Sequence, residues 1–418
     1  MQRKRKPQKN EVRHFFHPNI YPLFALQNST HLFNHRFANS LLKSFVVVSK
    51  SRLADQVGLW RYHLPYVKPF YAVKSNDNAT LMKWMIELFG PKNIGFDCAS
   101  LPEMDAVRRI SKKTEIVYAQ PCKTRTDIAE SVRYGIRTTV VDSPEEMQKM
   151  GETAWKGDVL IRLLVPDSNS KQPFGKKFGA PLQWVPEILQ IAKNYRIPVK
   201  GLSFHVGSEC ENPDQFARAL KVCRKAMDIG AEMKTNMDTI DIGGGFLPDA
   251  ANFSAIAASL ESSRRLYFPN NLAPSHTPIR WIAEPGRFLS STTHTLYTPI
   301  IGRKRAVPTD QGKPQMPEFR YTLHESVYGF FSNVPFDGQK PVFEIAHKSD
   351  KLKVDWRFRS ILFGRTCDGA DVICPEIDLP LLDEGDWLKV DNMGAYTSVS
   401  ASEFNGFPKP DHIYDANL

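Results

Sequence analysis

The chain has 418 residues, of which 42% are hydrophobic and 24% are charged. This length predicts two domains with large cores, and the composition is typical of a globular protein rather than of a disordered or fibrous one. The net charge of +10 is partly local, because five basic and no acidic residues lie in the first ten positions. We predict a basic disordered arm over residues 1–20. No basic patch interleaved with aromatic residues follows it, so no nucleic-acid partner is indicated.

Cysteine spacing and hydropathy exclude several other classes of protein. The six cysteines lack the spacing of a zinc site or a disulfide framework, which predicts no metal site and a reducing compartment. No apolar run reaches the roughly 18 residues of a membrane helix, and no signal peptide is recognisable. These absences predict a cytoplasmic protein without a membrane partner. The cysteines are Cys98, Cys122, Cys210, Cys223, Cys367 and Cys374.

Residues 21–48 contain the apolar run Ser44–Val48, which predicts a strand. Over residues 49–289, short apolar runs alternate with amphipathic segments of helical length, such as Ala79–Leu88 and Pro213–Met227. Eight such runs at fairly even intervals predict a (β/α)8 barrel. They are Phe70–Val73, Ile94–Asp97, Ile116–Ala119, Thr138–Val141, Val159–Leu164, Gly201–His205, Thr239–Ile242 and Arg280–Ala283.

Residues 290–418 have a different sequence pattern. Short strand-like runs are separated there by turns rich in proline and glycine, which predicts an all-β domain. The segment Lys304–Pro317 contains three prolines and is predicted to be a loop. The strand at Ser44–Val48 is a candidate to join this second domain.

Lys74 ends the apolar run Pro69–Val73. A lysine at the carboxyl end of a buried strand is expected to be half desolvated, which lowers its pKa and leaves neutral amine able to attack a carbonyl. A surface lysine that merely closes the strand is the alternative. Because functional residues of a barrel gather at the carboxyl ends of its strands, the other polar strand ends are also candidates. They are Asp97, Arg162, His205 and Glu284.

Three glycines follow the seventh predicted strand, namely Gly243, Gly244 and Gly245, and Gly286-Arg287 follows the eighth. Barrels commonly hold a phosphate at these two loops, using bare backbone N–H groups. A glycine triplet alone most often makes a tight turn, but the arginine at the next strand end favours a phosphate site. With a lysine amine, the Glu284 carboxylate and a flat His205, the set describes a site for pyridoxal phosphate.

Seven motifs in this chain, in this order, resemble the eukaryotic ornithine decarboxylase family, from about residue 40 to 410. That family belongs to the alanine-racemase-like class of pyridoxal phosphate enzymes, which implies a TIM-like barrel and a β-sandwich or modified Greek-key barrel. The motifs are Pro69-Phe70-Tyr71-Ala72-Val73-Lys74, Gly95-Phe96-Asp97-Cys98-Ala99-Ser100, Phe204-His205-Val206-Gly207-Ser208, Asp241-Ile242-Gly243-Gly244-Gly245-Phe246, Glu284-Pro285-Gly286-Arg287, Cys367-Asp368-Gly369 and Gly394-Ala395-Tyr396-Thr397.

The resemblance implies a role for each matching cofactor residue. Lys74 would form the Schiff base, Glu284 would bind the pyridine nitrogen and His205 would stack on the ring. The phosphate would be bound by Ser208, Gly245, Arg287 and Tyr396, and Gly243, Gly244 and Gly286 would also bind the cofactor. Further polar residues around the cofactor would be Asp97, Glu103 and Arg162.

The resemblance also implies a homodimer with two shared active sites. Cys367, as the acid that reprotonates the α-carbon, and Asp368 would come from the partner subunit. Asp337 and Asp368 would bind the distal amine of ornithine. Phe336, Tyr328 and Phe404 would line the substrate site, while Lys177 and Asp371 would form a salt bridge between subunits.

Several positions depart from the family pattern and leave the substrate open. Phe336 replaces a tyrosine, His324-Glu325-Ser326 replaces Asn-Asp-Gly, Arg365 replaces a proline, Glu403 a threonine and Ser75 a cysteine. The first hypothesis is decarboxylation of L-ornithine to putrescine and CO2. The second is an enzyme for an ornithine-like amino acid, similar to the decarboxylase of fungal loline-type alkaloid pathways. The third is a non-catalytic binding protein like the antizyme inhibitors; an antizyme-like protein is accordingly a possible regulator.

Overall fold

The structure, a computed structural model, describes residues 42–305, 318–349 and 356–417. The predicted arm at 1–20, most of the predicted segment 21–48 and most of the loop at Lys304–Pro317 lie outside these residues. Two bodies of secondary structure make up the described part. One is a closed parallel barrel, and the other is a mixed sheet.

The predicted (β/α)8 barrel is confirmed. Eight parallel strands, paired in chain order, close into a barrel, and each of the eight predicted runs overlaps one of them. The strands are β2 (Val67–Ala72), β3 (Gly95–Cys98), β4 (Glu115–Tyr118), β5 (Thr138–Val141), β6 (Asp158–Arg162), β8 (Val199–Ser203), β10 (Thr239–Asp241) and β11 (Arg280–Ala283). A small ribbon of β7 (Ser170–Gln172) and β9 (Ser208–Cys210) lies outside the barrel.

Helices connect the strands and cover the outside of the barrel. They are α1 (Lys50–His63), α2 (Ala79–Phe89), α3 (Leu101–Ile110), α4 (Arg125–Arg133), α5 (Pro144–Glu152), α6 (Val185–Tyr195), α7 (Asp214–Glu232), α8 (Ala250–Tyr267) and the short α9 (Arg287–Ser290). The predicted helices therefore differ from the observed ones only at their ends. Side-chain caps begin several of them. At α2, for example, Asn78 accepts hydrogen bonds from the backbone N–H groups of Thr80 and Leu81, both at 3.0 Å.

The barrel interior is a packed core. Phe70, Val117, Val140, Leu160 and Ile282 form one buried cluster inside it. Burying a phenylalanine side chain of this kind contributes about 1.5–3 kcal/mol. Space for the Phe70 ring exists because the neighbouring strand begins with Gly95, where a Cβ would lie 2.3 Å from that ring. Because side chains fill the barrel interior, functional residues are expected at the ends of the strands.

The second body is an eight-stranded mixed sheet, which confirms the predicted β domain. Its strands are β1 (Phe45–Ser49), β12 (His294–Arg305), β13 (Phe319–Leu323), β14 (Phe343–His347), β15 (Arg357–Phe363), β16 (Val372–Pro380), β17 (Trp387–Val390) and β18 (Asp411–Asp415), with the short helix α10 (Asn333–Asp337) between β13 and β14. The predicted strand at Ser44–Val48 is β1, which pairs with β12 and β18. The domain bounds at residues 48 and 289 stay a prediction.

Polar contacts tie the turn after β2 to the second body. Asn76 Nδ2 donates to the carbonyl of Gly394, which follows β17, at 2.9 Å, while Ser75 Oγ lies 2.7 Å from Oγ of Ser290 in α9. The backbone N–H of Tyr396 donates to the carbonyl of Ser75 at 2.9 Å. These buried bonds flank Lys74 on its carboxyl side, and they place Tyr396 beside the end of the first barrel strand.

Candidate active site

Several predicted site residues come together in one cavity at the carboxyl ends of the barrel strands. We call it the strand-end cavity. Eight of its lining residues were predicted from the sequence, and four were not. Its lining is Ala72, Lys74, Phe174, His205, Ser208, Glu209, Gly245, Phe246, Glu284, Gly286, Arg287 and Tyr396.

Lys74 stands in the single helical turn Val73–Ser75 that follows β2. Its Nζ lies 3.3 Å from Oδ2 of Asp97, whose side chain is buried at the end of β3. The lysine side chain extends into the cavity, where 42% of its surface is accessible. The surrounding protein desolvates the ammonium and so disfavours its charge, but Asp97, Tyr396 and Glu284 outweigh this effect and raise its pKa. The expected lowering of the Lys74 pKa is therefore wrong for the chain by itself, because nearby negative charge wins over burial.

Glu284 follows β11 and is buried. Burial, together with the nearby carboxylates of Asp241 and Asp97, holds its pKa well above the ordinary value of 4.5. Its Oε1 has no hydrogen-bond partner among the described residues. The carboxyl group also hydrogen bonds to that of Asp241. Since buried polar atoms in native proteins are nearly always paired, Oε1 is suited to bind a polar group in the cavity that Glu284 lines.

His205 is a neutral ring in this environment. Its Nδ1 accepts a hydrogen bond from the backbone N–H of Gly207 at 3.0 Å, so the ring proton belongs on Nε2. Burial, followed by the positive charges of Arg162 and Lys74, holds its pKa well below 6.5. The ring meets that of Phe174 edge-on at 4.9 Å between centroids. A flat, uncharged surface therefore faces the cavity that His205 lines.

The backbone conformation and close packing of the glycine triplet require glycine. Gly243 and Gly245 have φ of +65° and +98°, in the region that favours glycine. A Cβ at Gly244 would lie 2.7 Å from the carbonyl oxygen of Glu284 and 2.9 Å from Nε2 of His205. Bare backbone therefore lies directly against the other site residues.

Arg287 is the first residue of α9 and is largely buried. Its guanidinium carbon lies 5.1 Å from the centroid of the Tyr396 ring. Its Nη2 donates to both carboxylate oxygens of Asp337, at 2.9 and 2.7 Å. Its Nε is buried and has no partner among the described residues. One edge of the guanidinium is thus engaged, while another donor remains available to an anion in the cavity.

Glu103 and Arg162, like Asp97, Gly243 and Gly244, are predicted cofactor residues that do not line the cavity. Glu103 Oε2 accepts from the backbone N–H of Ala99 at 2.6 Å, and its own N–H donates to Oγ of the cap residue Ser100 at 3.4 Å. This arrangement resembles a capping box on α3, with the glutamate bound to the residue before the cap. Burial raises the pKa of Glu103 to about 7. Arg162, at the end of β6, packs 4.5 Å over the ring of Phe178. Both residues surround the site rather than form its wall.

A second group of predicted residues forms a separate cluster, which we call the loop cluster: Tyr328, Cys367, Asp368 and Phe404. The rings of Tyr328 and Phe404 stack at 4.4 Å, and the Tyr328 hydroxyl donates to Asp368. Cys367 Sγ lies 3.5 Å from Oδ1 of Asn405 and is exposed. None of the four lines the strand-end cavity of the same chain.

The remaining predicted residues lie between or beside these groups. Asp337 is buried at the end of α10 and reaches Arg287, whereas the adjacent Phe336 is 72% exposed. Lys177 Nζ lies 5.0 Å over the ring of Phe178. Asp371 is buried and accepts hydrogen bonds from the backbone N–H groups of Val327 and Thr366 and from the Thr366 hydroxyl. It therefore organises its own chain, and its contact with Lys177 of a partner subunit stays a prediction.

Two departures from the family pattern contact each other. Arg365 Nη1 lies 3.1 Å from Nε2 of His324, and Arg365 Nη2 donates to the carbonyl of Pro408 at 3.0 Å. The guanidinium also packs 4.3 Å over the ring of Phe407. Arg365 thus holds the loop that carries Cys367 against the segment that precedes β18.

Sequence reasoning missed Glu209, Gln339, Gln172 and Phe174. Glu209 directly follows Ser208, so its place beside a motif was the only available signal. Gln172 and Gln339 both bind Asp337, and they lie far apart in the chain. Nothing in the local sequence around either glutamine indicates a site.

Three observations concern features absent from the described part of the chain. None of its helices is both long and apolar enough to cross a bilayer. No cluster of three or more His, Cys, Asp or Glu side chains in residues 42–305, 318–349 and 356–417 is arranged for a metal ion. All six cysteines are described, and none forms a disulfide.

Comparison with known proteins identifies the family. The pyridoxal binding domain of the pyridoxal-dependent decarboxylases matches residues 50–291. Ornithine decarboxylase of Caenorhabditis elegans is 34% identical over 381 residues, which cover 89% of this chain and 87% of that protein. Antizyme inhibitor 2 of Xenopus laevis is 35% identical over 351 residues, which cover 82% and 75%. The agmatine-bound arginine decarboxylase of Paramecium bursaria Chlorella virus superposes with a TM-score of 0.82, at 31% identity over 92% of this chain and all of that one.

The residues of the strand-end cavity fit pyridoxal phosphate. The cavity offers a lysine amine at Lys74, an unpaired buried carboxyl oxygen at Glu284 and an unpaired buried guanidinium N–H at Arg287. In that order, these groups suit the aldehyde, the ring nitrogen and the phosphate of the cofactor. The chain belongs to the family of pyridoxal-dependent decarboxylases.

Proposed function

We propose that the chain decarboxylates L-ornithine to putrescine and CO2. The observation that carries the substrate class is the buried carboxylate of Asp337, which binds Arg287 at the wall of the cavity that contains Lys74. A buried acid in that position suits an amino acid with a distal cationic group and disfavours a dicarboxylate or a neutral side chain.

Different cavity residues would bind different parts of the cofactor. When bound, pyridoxal phosphate accepts the electron pair that the departing carboxylate leaves behind. Lys74 Nζ would carry its covalent attachment, and Asp97, 3.3 Å away, orients this amine. Glu284 Oε1 would hold a proton at the ring nitrogen, and neutral His205 would support the ring. Arg287, Ser208, Tyr396 and the glycine backbone would bind the phosphate.

The proton that replaces CO2 needs an acid, and the strand-end cavity offers no thiol among its lining residues. We propose that Cys367 of the partner subunit donates this proton to the α-carbon, with Asp368 of the partner subunit nearby. This arrangement requires a homodimer with shared sites. It is supported by the exposure of Cys367 and Phe404 and by the absence of the loop cluster from the cavity of its own chain.

The substrate is tested by CO2 release from L-ornithine, L-lysine and L-arginine under identical conditions. We expect L-ornithine to give the highest kcat/KM. Faster turnover of L-arginine would contradict the proposal and favour the activity named for the viral relative. Turnover of none of the three, by protein that retains its cofactor, would favour the ornithine-like substrate of a specialised pathway.

A non-catalytic role is a second candidate, because antizyme inhibitor 2 is as similar to this chain as the decarboxylases are. Lys74, Asp97, Arg162, Arg287 and Cys367 are all present, which favours the enzyme. Cofactor absorbance of the purified protein separates the two, since a non-catalytic binding protein is expected to lack it. We further propose a cytoplasmic location, supported by the unpaired cysteines, and an antizyme-like regulator, supported by that relative's name.

A further inference from the structure

Glu209 lies in an unusual backbone conformation at the wall of the strand-end cavity. It is the middle residue of β9, directly after Ser208, and its φ is +53°. Side chains other than glycine, asparagine and aspartate rarely adopt this left-handed region. A strained residue at a ligand cavity is a candidate for function, because the surrounding contacts must hold it there.

Those contacts direct its carboxylate toward Arg287. Glu209 Oε1 lies 3.4 Å from Nη2 of Arg287 and accepts a hydrogen bond from Nε2 of Gln339. Its other oxygen, Oε2, lies 3.1 Å from Nζ of Lys171. The side chain of Glu209 is 13% exposed, whereas that of Lys171 is 44% exposed, so solvent screens the lysine more than the arginine.

Asp337 uses the same two nitrogen donors. Its Oδ2 lies 2.7 Å from Nη2 of Arg287 and 2.9 Å from Nε2 of Gln339. Its Oδ1 also accepts from Nε2 of Gln172 at 3.0 Å. Glu209 and Asp337 are therefore neighbours that share one guanidinium nitrogen and one amide nitrogen. The amide of Gln339 shows that one nitrogen placed between the two carboxylates can donate to both.

The charges of this group balance only while Arg287 pairs with both acids. The two carboxylates face the guanidinium of Arg287 and the ammonium of Lys171, so the four groups together carry a formal charge of zero. The Nε of Arg287 is unpartnered and lies on a residue that lines the cavity. An anion that takes this donor would draw the guanidinium away from the two acids and increase their demand for a cation.

We propose that Glu209 is a specificity-determining residue that pairs with Asp337. The two carboxylates, both supplied by one subunit, bind the distal cationic group of the substrate, and Arg287 is their shared counter-ion. This inference rests on the proposed function only in requiring a substrate with a distal cation. An ammonium suits the pair, because its three N–H donors reach oxygens on both carboxylates.

The test is equilibrium binding to the holoenzyme by calorimetry, which does not depend on turnover. Putrescine carries a second ammonium, and n-butylamine has the same chain length without one. We expect Glu209→Gln to weaken putrescine binding about tenfold and to leave n-butylamine binding unchanged. Glu211→Gln is the matched control, because Glu211 is exposed and lies two residues further along. It is expected to change neither affinity.

A second variant guards against misfolding. Glu209→Gly removes the carboxylate but suits a φ of +53°, so it is expected to fold and to show the same selective loss. Unchanged putrescine binding in both variants, or an equal loss for both amines, would overturn the proposal. A wild-type protein that binds putrescine more tightly than n-butylamine but releases no CO2 from L-ornithine would refute the proposed function while leaving the role of Glu209 intact.

Discussion

The strand-end cavity and the loop cluster differ in how completely one chain builds them. In the cavity, Glu284 and Arg287 are buried and follow the last barrel strand, and the buried Asp97 of β3 pairs with Lys74. In the loop cluster, Cys367 is exposed, Phe404 is 40% exposed, and the contact of Cys367 with Asn405 is also exposed. A cofactor held for many turnovers needs a preformed wall, whereas an acid that acts in another subunit must be presented outward. The comparison therefore predicts that a single chain can bind the cofactor and that turnover requires two chains.

Removing the lysine should produce the largest effect. Lys74→Ala deletes the only amine that lines the strand-end cavity within the described residues, and we expect decarboxylation to fall by at least about 10³-fold. Borohydride treatment followed by mass spectrometry should detect cofactor attached to the wild type but not to the variant. Lys83→Ala, on the exposed face of α2, is the control. Attachment that persists in Lys74→Ala would show that another residue carries the cofactor.

Combining two inactive chains tests the division between the regions directly. A heterodimer of Lys74→Ala and Cys367→Ala chains, isolated through two affinity tags, contains one intact site if the sites are shared between subunits. We expect about half of the wild-type rate per dimer, although each homodimer is strongly impaired. The exposed Cys122→Ala replaces Cys367→Ala in a control heterodimer. A heterodimer as inactive as its parents would place both residues in one subunit's site.

The free energy of unfolding should depend on pH through Glu325, a buried residue near the loop cluster. Glu325 is buried, and this burial raises its pKa from 4.5 to about 7. The folded state then binds more protons than the unfolded state between these values, so the free energy of unfolding falls as the pH rises from about 4.5 to 7. Glu325→Gln should remove on the order of 1–3 kcal/mol of this decline.

Urea unfolding at several pH values measures this decline, with the exposed Glu187→Gln as the control. If the curves of free energy against pH for the wild type and Glu325→Gln run parallel, the carboxyl of Glu325 does not titrate differently on folding.

Restoring a family hydroxyl should have the smallest effect. Phe336 is 72% exposed in the single chain, whereas Asp337 next to it already binds Arg287. We therefore expect Phe336→Tyr to change KM for L-ornithine by less than about threefold, within the range of a single exposed hydrogen bond. Steady-state kinetics measure this change. A tenfold decrease in KM would show that the partner subunit buries this position against the substrate.

Much of the fold was predictable because its signals are local. The strands at Thr138–Val141 and Arg280–Ala283 have the observed bounds, since a buried parallel strand is a short apolar run flanked by helical segments. The capping function of Glu103 was also present in the sequence as Ser100-x-x-Glu103, but the resemblance assigned it to the cofactor. The loop at Lys304–Pro317 lies mostly outside the described residues and stays a prediction.

The sequence by itself determined the barrel and the types of side chain at its strand ends, because apolar periodicity and the polar residue after each run are properties of neighbouring positions. Only the tertiary structure decided what those side chains contact. It raised the pKa of Lys74 through Asp97, Tyr396 and Glu284, and it brought Glu209 to Arg287. These interactions join residues that are distant in the chain, and their strength depends on distance and burial, which no local pattern records.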